Sequence, residues 1–285
     1  MGAWADPAYS TLRSVPFANQ DTRFPMQLSI VTTLDYAVHD AVDVMLQIEA
    51  AMIPEQRVIH AHIDLPPVEH FARIAAQANI GERIWLRIAA PLKVRYEATV
   101  EVDRYLADVA SLDAVPPHQL PGETVDYMMP SRYCQSDTFL DFVEGEFGHL
   151  KGGQRIAAMR DWLETNLTYE PGSSDAYTTA IDTFQSGRGV CRDYTHLMIS
   201  LARASAIPAR FASVYGLGVD PQDFHAVAEV FLDGMWHMVD ATGMSAPDRI
   251  AKIGIGRDAA DVSFLSSFGY VEMISQTVEV TEVPG

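Results

Sequence analysis

Cys191 is the residue of this chain best placed to act as a nucleophile. It follows Gly187-Arg188-Gly189 and opens the apolar run 191–204. A tight turn there would leave the sulfur accessible, while unpaired N–H groups and the positive end of a helix dipole stabilise a thiolate. The alternative is a small buried hydrophobe, the common fate of a lone cysteine. A base and its orienter can be read further along. Asp233-Gly234, between Leu232 and Met235, is a two-residue type I′ turn signal that sets residue 232 opposite 235. In that register His225 falls opposite Thr242 and Asp240 opposite Val227. His225 and Asp240 then share a sheet face as diagonal neighbours, roughly 7–8 Å apart at Cα. Asp240 can accept one imidazole N–H and leave the other nitrogen for a thiol. Cys, His and Asp so arranged perform nucleophilic acyl chemistry; a structural His–Asp pair or a surface salt bridge is the plainer alternative.

Other reactive side chains carry weaker patterns. Cys134 is the sole possible disulfide partner of Cys191, and a reducing compartment argues against that pairing. His60 and His62 alternate on one strand face without a third residue at metal-ligand spacing, which reads as a solvated face with no metal. His196 lies five residues beyond Cys191 and so points elsewhere on the helix. Asp193 reads as a first-turn acid favoured by the helix dipole. Glu229 shares the face of His225, and His237 does not. Gly254-Ile255-Gly256 is too short for a nucleotide loop and reads as a turn beside the site.

The elements that must hold these residues fall into two groups. Over 26–35, 43–50, 57–65, 83–88 and 94–102 apolar residues alternate, with Val, Ile and Thr well represented, as in half-buried strands. Residues 71–78 fit a strand or a short helix, and Asn79-Ile80-Gly81 favours a hairpin. The segment VPPHQLPG at 115–122 breaks the pattern. Beyond it the period changes to that of helices. Ser136 or Asp137 is placed to cap one presenting Phe139, Leu140, Val143 and Phe147. A second presents Ile156, Met159, Trp162, Leu163 and Leu167. A third is capped by Ser174 or Asp175 and ends near Gly187. The helix opened by Cys191 is stopped by Pro208, and strands follow over 209–215, 225–232 and 235–240. This is an α+β order, divided as a tail over 1–20, a β-rich domain over 21–120 and a catalytic domain over 121–285.

Composition sets outer bounds. The 285 residues are 48% hydrophobic and 20% charged, an ordinary globular balance. Twenty Lys and Arg against 38 Asp and Glu give a net charge of −18, which repels phosphate backbones and anionic lipid and argues against nucleic-acid and membrane partners. No apolar run reaches the ~18–20 residues of a membrane span, and MGAWADPAYS lacks the pattern of a signal peptide. The expectation is a cytoplasmic protein.

Three strings, GRGVCRDYTHLMISLARASAIPARF, HAVAEVFLDGMWHMVDATG and GRDAADVSF, together resemble the transglutaminase-like cysteine hydrolase superfamily of bacteria, and PSRYCQSD resembles the linker after that family's N-terminal β domain. The resemblance implies a papain-like (transglutaminase-core) α+β domain behind an antiparallel β-sandwich-like domain. It implies Cys191 as nucleophile, His225 as base and Asp240 as orienter, with no cofactor. Tyr169, in LTYEPGS, is similar to a family position that often supplies an aromatic oxyanion donor; a purely structural tyrosine is the alternative. Val227 and Ala241 stand where the family often has Trp and Pro, a difference that bears on substrate and loop shape. The expected activity is hydrolysis of peptide or isopeptide amides. Acyl transfer to a primary amine and a non-catalytic binding scaffold are the alternatives.

Overall fold

The computed structural model describes residues 25–284, so the expected tail over 1–20 lies outside the described residues. Six strands come first: β1 (Met26–Ala37), β2 (Val42–Leu46), β3 (Gln56–Asp64), β4 (His70–Ala75), β5 (Glu82–Ile88) and β6 (Leu92–Val102). Their alternation buries one face of each central strand, as in Leu28, Ile30 and Leu34 of β1 and Leu92, Val94 and Tyr96 of β6. Residues 71–78 resolve into β4 and a tight turn, and β4 pairs with β5 from His70↔Arg87 to Ala75↔Glu82. Gly81 in that turn has φ +83, and a Cβ there would lie 2.1 Å from the Ile253 carbonyl oxygen, so only glycine fits.

The following segment supplies α1 (Leu140–Phe147), α2 (Gly152–Asn166), β7 (Thr168–Tyr169), α3 (Ala180–Ser186), β8 (Arg188–Gly189), α4 (Cys191–Ala204), β9 (Ala209–Gly216), β10 (His225–Leu232), β11 (Met235–Val239) and β12 (Ile250–Gly256). Three local expectations change. Ser136–Phe139 is a 3-10 turn leading into α1 with no side-chain cap, and Leu140 is exposed. The cap of α3 is Thr179, in a reciprocal box with Asp182, while Asp175 closes a separate turn onto Tyr177 and Thr178. Gly254-Ile255-Gly256 lies inside buried β12 and is not a turn. A Cβ on Gly254 would meet Gln47 Nε2 at 2.0 Å, and one on Gly256 would meet Asp261 Cβ at 2.5 Å. Gly254 serves close packing against a distant segment, and Gly256 against the turn that follows it.

Two last strands, β13 (Leu265–Ser267) and β14 (Glu272–Glu282), return to the beginning of the fold. The sheets run β14-β1-β6-β3, β13-β2-β5-β4 and β11-β10-β9-β12. Both β1–β14 and β2–β13 are antiparallel, and Val278 and Val280 of β14 enter the core between the first two sheets. The structure therefore differs from a division in which everything after residue 120 forms one domain: 265–282 complete the sandwich, because β1 needs a partner on its outer edge. The third sheet packs on α4, where Leu197, Met198, Ile199 and Leu201 are fully buried, each contributing roughly 1.5–3 kcal/mol. Tyr215 of β9 crosses into the sandwich core. Its hydroxyl donates to Ile48 O at 2.6 Å and accepts from Thr32 Oγ1 at 3.2 Å.

Candidate active site

Gly187 ends α3 in the left-handed conformation, φ 67, and the chain runs straight into β8. Parallel pairing Thr168↔Arg188 and Tyr169↔Gly189 lays Tyr169 beside the start of α4. That start is fixed from inside. Fully buried Asp193 accepts the Val190 N–H at 2.9 Å through Oδ2, and Arg192 holds Oδ1 at 3.0 and 3.2 Å. A Cβ on Gly189 would sit 2.7 Å from Asp193 Cβ, so glycine is needed for the carboxylate to tuck under the turn. Cys191 is the first residue of α4 and half-buried, its Sγ 3.9 Å from Phe224 O. The Tyr169 hydroxyl lies against Cys191. Burial and the Cys191 charge push it up to about 12, offset in part by the Cys191 N–H that it accepts, so the phenol keeps its proton.

The β10–β11 hairpin pairs Leu232↔Met235 through Ala228↔Val239, around Asp233 and Gly234 at φ 48 and 80. The ladder stops at Val239, so the expected pairs Val227–Asp240 and His225–Thr242 do not form as ladder pairs. Instead Asp240 sits in a turn. Its Oδ1 accepts Thr242 N–H at 2.9 Å and Thr242 Oγ1–H at 2.7 Å; its Oδ2 accepts Ser245 N–H and His225 Nε2, each at 2.9 Å. Among the described residues, buried His225 Nδ1 has no hydrogen-bond partner. Burial disfavours the imidazolium, but the hydrogen bond to Asp240 and the charges of Cys191 and Asp240 outweigh it and raise His225 to about 10. For Asp240 burial acts upwards, and His225, Thr242 and Ser245 together hold it below its ordinary value. An imidazole anchored at Nε2, free at Nδ1 and electrostatically linked to a helix-opening thiol can move a proton at Nδ1.

The remaining candidates sit elsewhere. Cys134 is free and fully buried, and burial pushes its thiol up to about 12. His60 and His62 are exposed on β3, offset by a bulge between Val58 and His60, and His62 pairs with Asp64. Buried His196 stacks on Tyr133 and accepts the Ala259 N–H at 3.2 Å; desolvation holds it well below the ordinary histidine value. Glu229 is buried between Arg210 and Lys252, at 2.7 Å from each. Sequence reasoning missed Thr242 and Ser245, although Asp-x-Thr is an Asx-turn pattern that could have pointed to Thr242. It also missed the loop before His225: Gln222 bonds both N–H and carbonyl of Val280, and Gln276 bonds Asp223. The last strand thus holds the segment whose Phe224 carbonyl faces the sulfur.

Residues 143–241, a span that includes Cys191, His225 and Asp240, match the family model of the transglutaminase-like superfamily. The crystal structure of a candidate cysteine protease from Cytophaga hutchinsonii is 30% identical, covers 92% of each chain and superimposes with a TM-score of 0.87. The chain belongs to the transglutaminase-like superfamily. As a member of that superfamily it shares with the Cytophaga structure the sandwich as well as the papain-like core, since the likeness extends well beyond the residues matched by the family model. An uncharacterized protein of Mycobacterium leprae is 29% identical over 117 residues, 38% of this chain and 41% of that relative's length. Among the described residues no helix is long and apolar enough to cross a membrane.

Proposed function

We propose that this protein is a cysteine-dependent amide hydrolase, a peptidase or isopeptidase, working through Cys191, His225 and Asp240. The observation that carries the reading is the His225 imidazole, held at Nε2 by Asp240 and coupled to the thiol that opens α4. Thiolate attack on an amide carbonyl forms a tetrahedral oxyanion, with the Cys191 N–H and the Tyr169 hydroxyl as its donors. The His225 Nδ1–H then passes its proton to the leaving amine as the C–N bond breaks, giving a thioester. Water attacks the thioester, His225 Nδ1 takes its proton, and the acid leaves with the thiol regenerated. Asp240 keeps the ring oriented and favours its charged form throughout.

Water is always present, whereas a transferase must exclude it, so hydrolysis is preferred to transfer onto a primary amine. Peptide or protein amides are the substrate class, in keeping with the cysteine protease description of the Cytophaga relative. Two unpaired cysteines suit a reducing, cytoplasmic setting. Iodoacetamide labelling against pH, read by mass spectrometry, tests the nucleophile. Cys191 should react quickly below neutral pH and at least about tenfold more slowly in His225→Ala, while buried Cys134 stays unlabelled. A slow Cys191 indifferent to His225 would favour the scaffold reading. A peptide supplied with an excess of amine separates the two activities, since dominance of the amine adduct would overturn hydrolysis.

A further inference from the structure

Three consecutive residues border the reactive sulfur. His225 opens β10, Phe224 turns its carbonyl to Cys191 Sγ at 3.9 Å, and exposed Asp223 stands just before them. The Asp223 carboxylate is held in one place. Its Oδ1 accepts the Phe224 N–H at 2.7 Å and a Gln276 Nε2–H from β14, while its Oδ2 takes no hydrogen bond among the described residues. The same loop is tied a second time, since Gln222 bonds both the N–H and the carbonyl of Val280. A carboxylate fixed in advance loses little freedom when it meets a ligand.

The charge of Asp223 reaches the reacting groups. Tyr169, whose hydroxyl lies against Cys191, is raised first by burial, then by the Cys191 charge, and in part by Asp223. Neighbouring charges are engaged elsewhere. Arg192 of α4 holds buried Asp193 and donates to Asp175 O at 2.6 Å, and Arg188 of β8 lies 3.6 Å from Glu170. Asp175 Oδ1 accepts the Tyr177 and Thr178 N–H groups, and His225 is matched by Asp240. Among the described residues no Lys or Arg pairs with Asp223, and exposed Asp220 adds a second negative charge to its loop. Beside a half-buried thiol such a charge is screened less than on open surface, so it attracts a cation and repels an anion arriving at the sulfur. The net charge of −18 has the same sign and draws the same class of substrate towards the protein.

We infer that Asp223 sets the specificity of the cysteine site, favouring substrates that carry a cationic side chain or a free amine next to the scissile amide. The inference rests on the hydrolase reading and names its substrate class. Cys191 itself reports the preference through two reagents of opposite charge, trimethylammonioethyl and sulfonatoethyl methanethiosulfonate. Each forms a mixed disulfide with the thiolate and releases methanesulfinate, and mass spectrometry of the full chain follows the rate. The ratio of cationic to anionic rates should exceed that of N-acetylcysteine amide by at least about tenfold. Asp223→Asn keeps an acceptor for Phe224 and Gln276 but removes the charge, and should lower the ratio at least about threefold. Asp223→Lys should lower it further, and Asp223→Glu should retain it. Should these variants fail to fold, the unaltered protein carries the test, because about 0.5 M salt should shrink its excess. A Cys191 that reacts with neutral iodoacetamide but shows no cationic excess, the same excess in Asp223→Asn, or an excess indifferent to salt overturns the substrate preference alone. A Cys191 unreactive to all three reagents overturns the hydrolase reading, and the preference with it.

Discussion

An imidazole as buried as His225 would ordinarily lose its proton; this one is raised to about 10 because Asp240 and Cys191 supply more stabilisation than burial removes. The consequence for stability has a definite sign. The folded value lies above the ordinary value of 6.5, so the contribution is fully present below about pH 6.5 and is lost as the pH rises towards 10. Melting temperature should therefore decline across that window, and Asp240→Asn should flatten the decline while lowering turnover by roughly 10²–10⁴. Parallel slopes for the two proteins in pH-resolved thermal melts would contradict this. Much of the candidate site is legible in the residues themselves. Cys191 is marked by the glycines before it and the helix after it; the turn arithmetic brings His225 and Asp240 to one end of the hairpin, but the ladder pairs it assigns them do not form. The further partners of Asp240, Thr242 and Ser245, lie past the end of the ladder, where a period of two no longer says where a side chain points. The position of Tyr169 depends on a two-residue parallel pairing, too short to leave a periodic trace.

At the scale of elements, α4 is positioned less by propensity than by its first turn. Buried Asp193 and the approach of Gly189 tie the helix start to β8. Gly189→Ala sets a Cβ 2.7 Å from Asp193 Cβ, on a backbone that cannot retreat without moving the helix. The expected cost is about 1–3 kcal/mol, seen in urea unfolding, together with slower Cys191 alkylation; a variant with unchanged midpoint and labelling rate would remove Gly189 from this role. Most strands and helices can be placed from period and turn chemistry. The turn expected at 254–256 fails for a long-range reason at its first glycine. The close neighbour of Gly254 is Gln47, a contact across about two hundred residues that no local pattern reports, whereas Gly256 meets Asp261 only five residues on.

For the whole molecule, the sandwich and the third sheet are parts of one packed body. Tyr215, Ala251 and Ile253 belong to strands of the third sheet yet lie in the sandwich core, and the Tyr215 hydroxyl bridges β1 to the Ile48 carbonyl. Denaturation should therefore be a single transition, with intrinsic fluorescence and far-ultraviolet dichroism superimposing. Tyr215→Phe should destabilise by about 1–2 kcal/mol without separating the two probes; two resolved transitions in the unaltered protein would refute the shared core. This union is the part of the fold least accessible to reading along the chain, because the division near residue 120 follows sequence order and the sheets do not.

The return of β14 to β1 also has a consequence in time. Leu28 pairs with Glu282, so on the ribosome the outer edge of β1 waits for a partner made roughly 250 residues later, about 12–50 s at ordinary synthesis rates. The loop before His225 is held by Gln222 and Gln276 to that same strand. A nascent chain that already contains Cys191, His225 and Asp240 therefore lacks the strand that steadies the loop before His225 until residues 272–282 have been made.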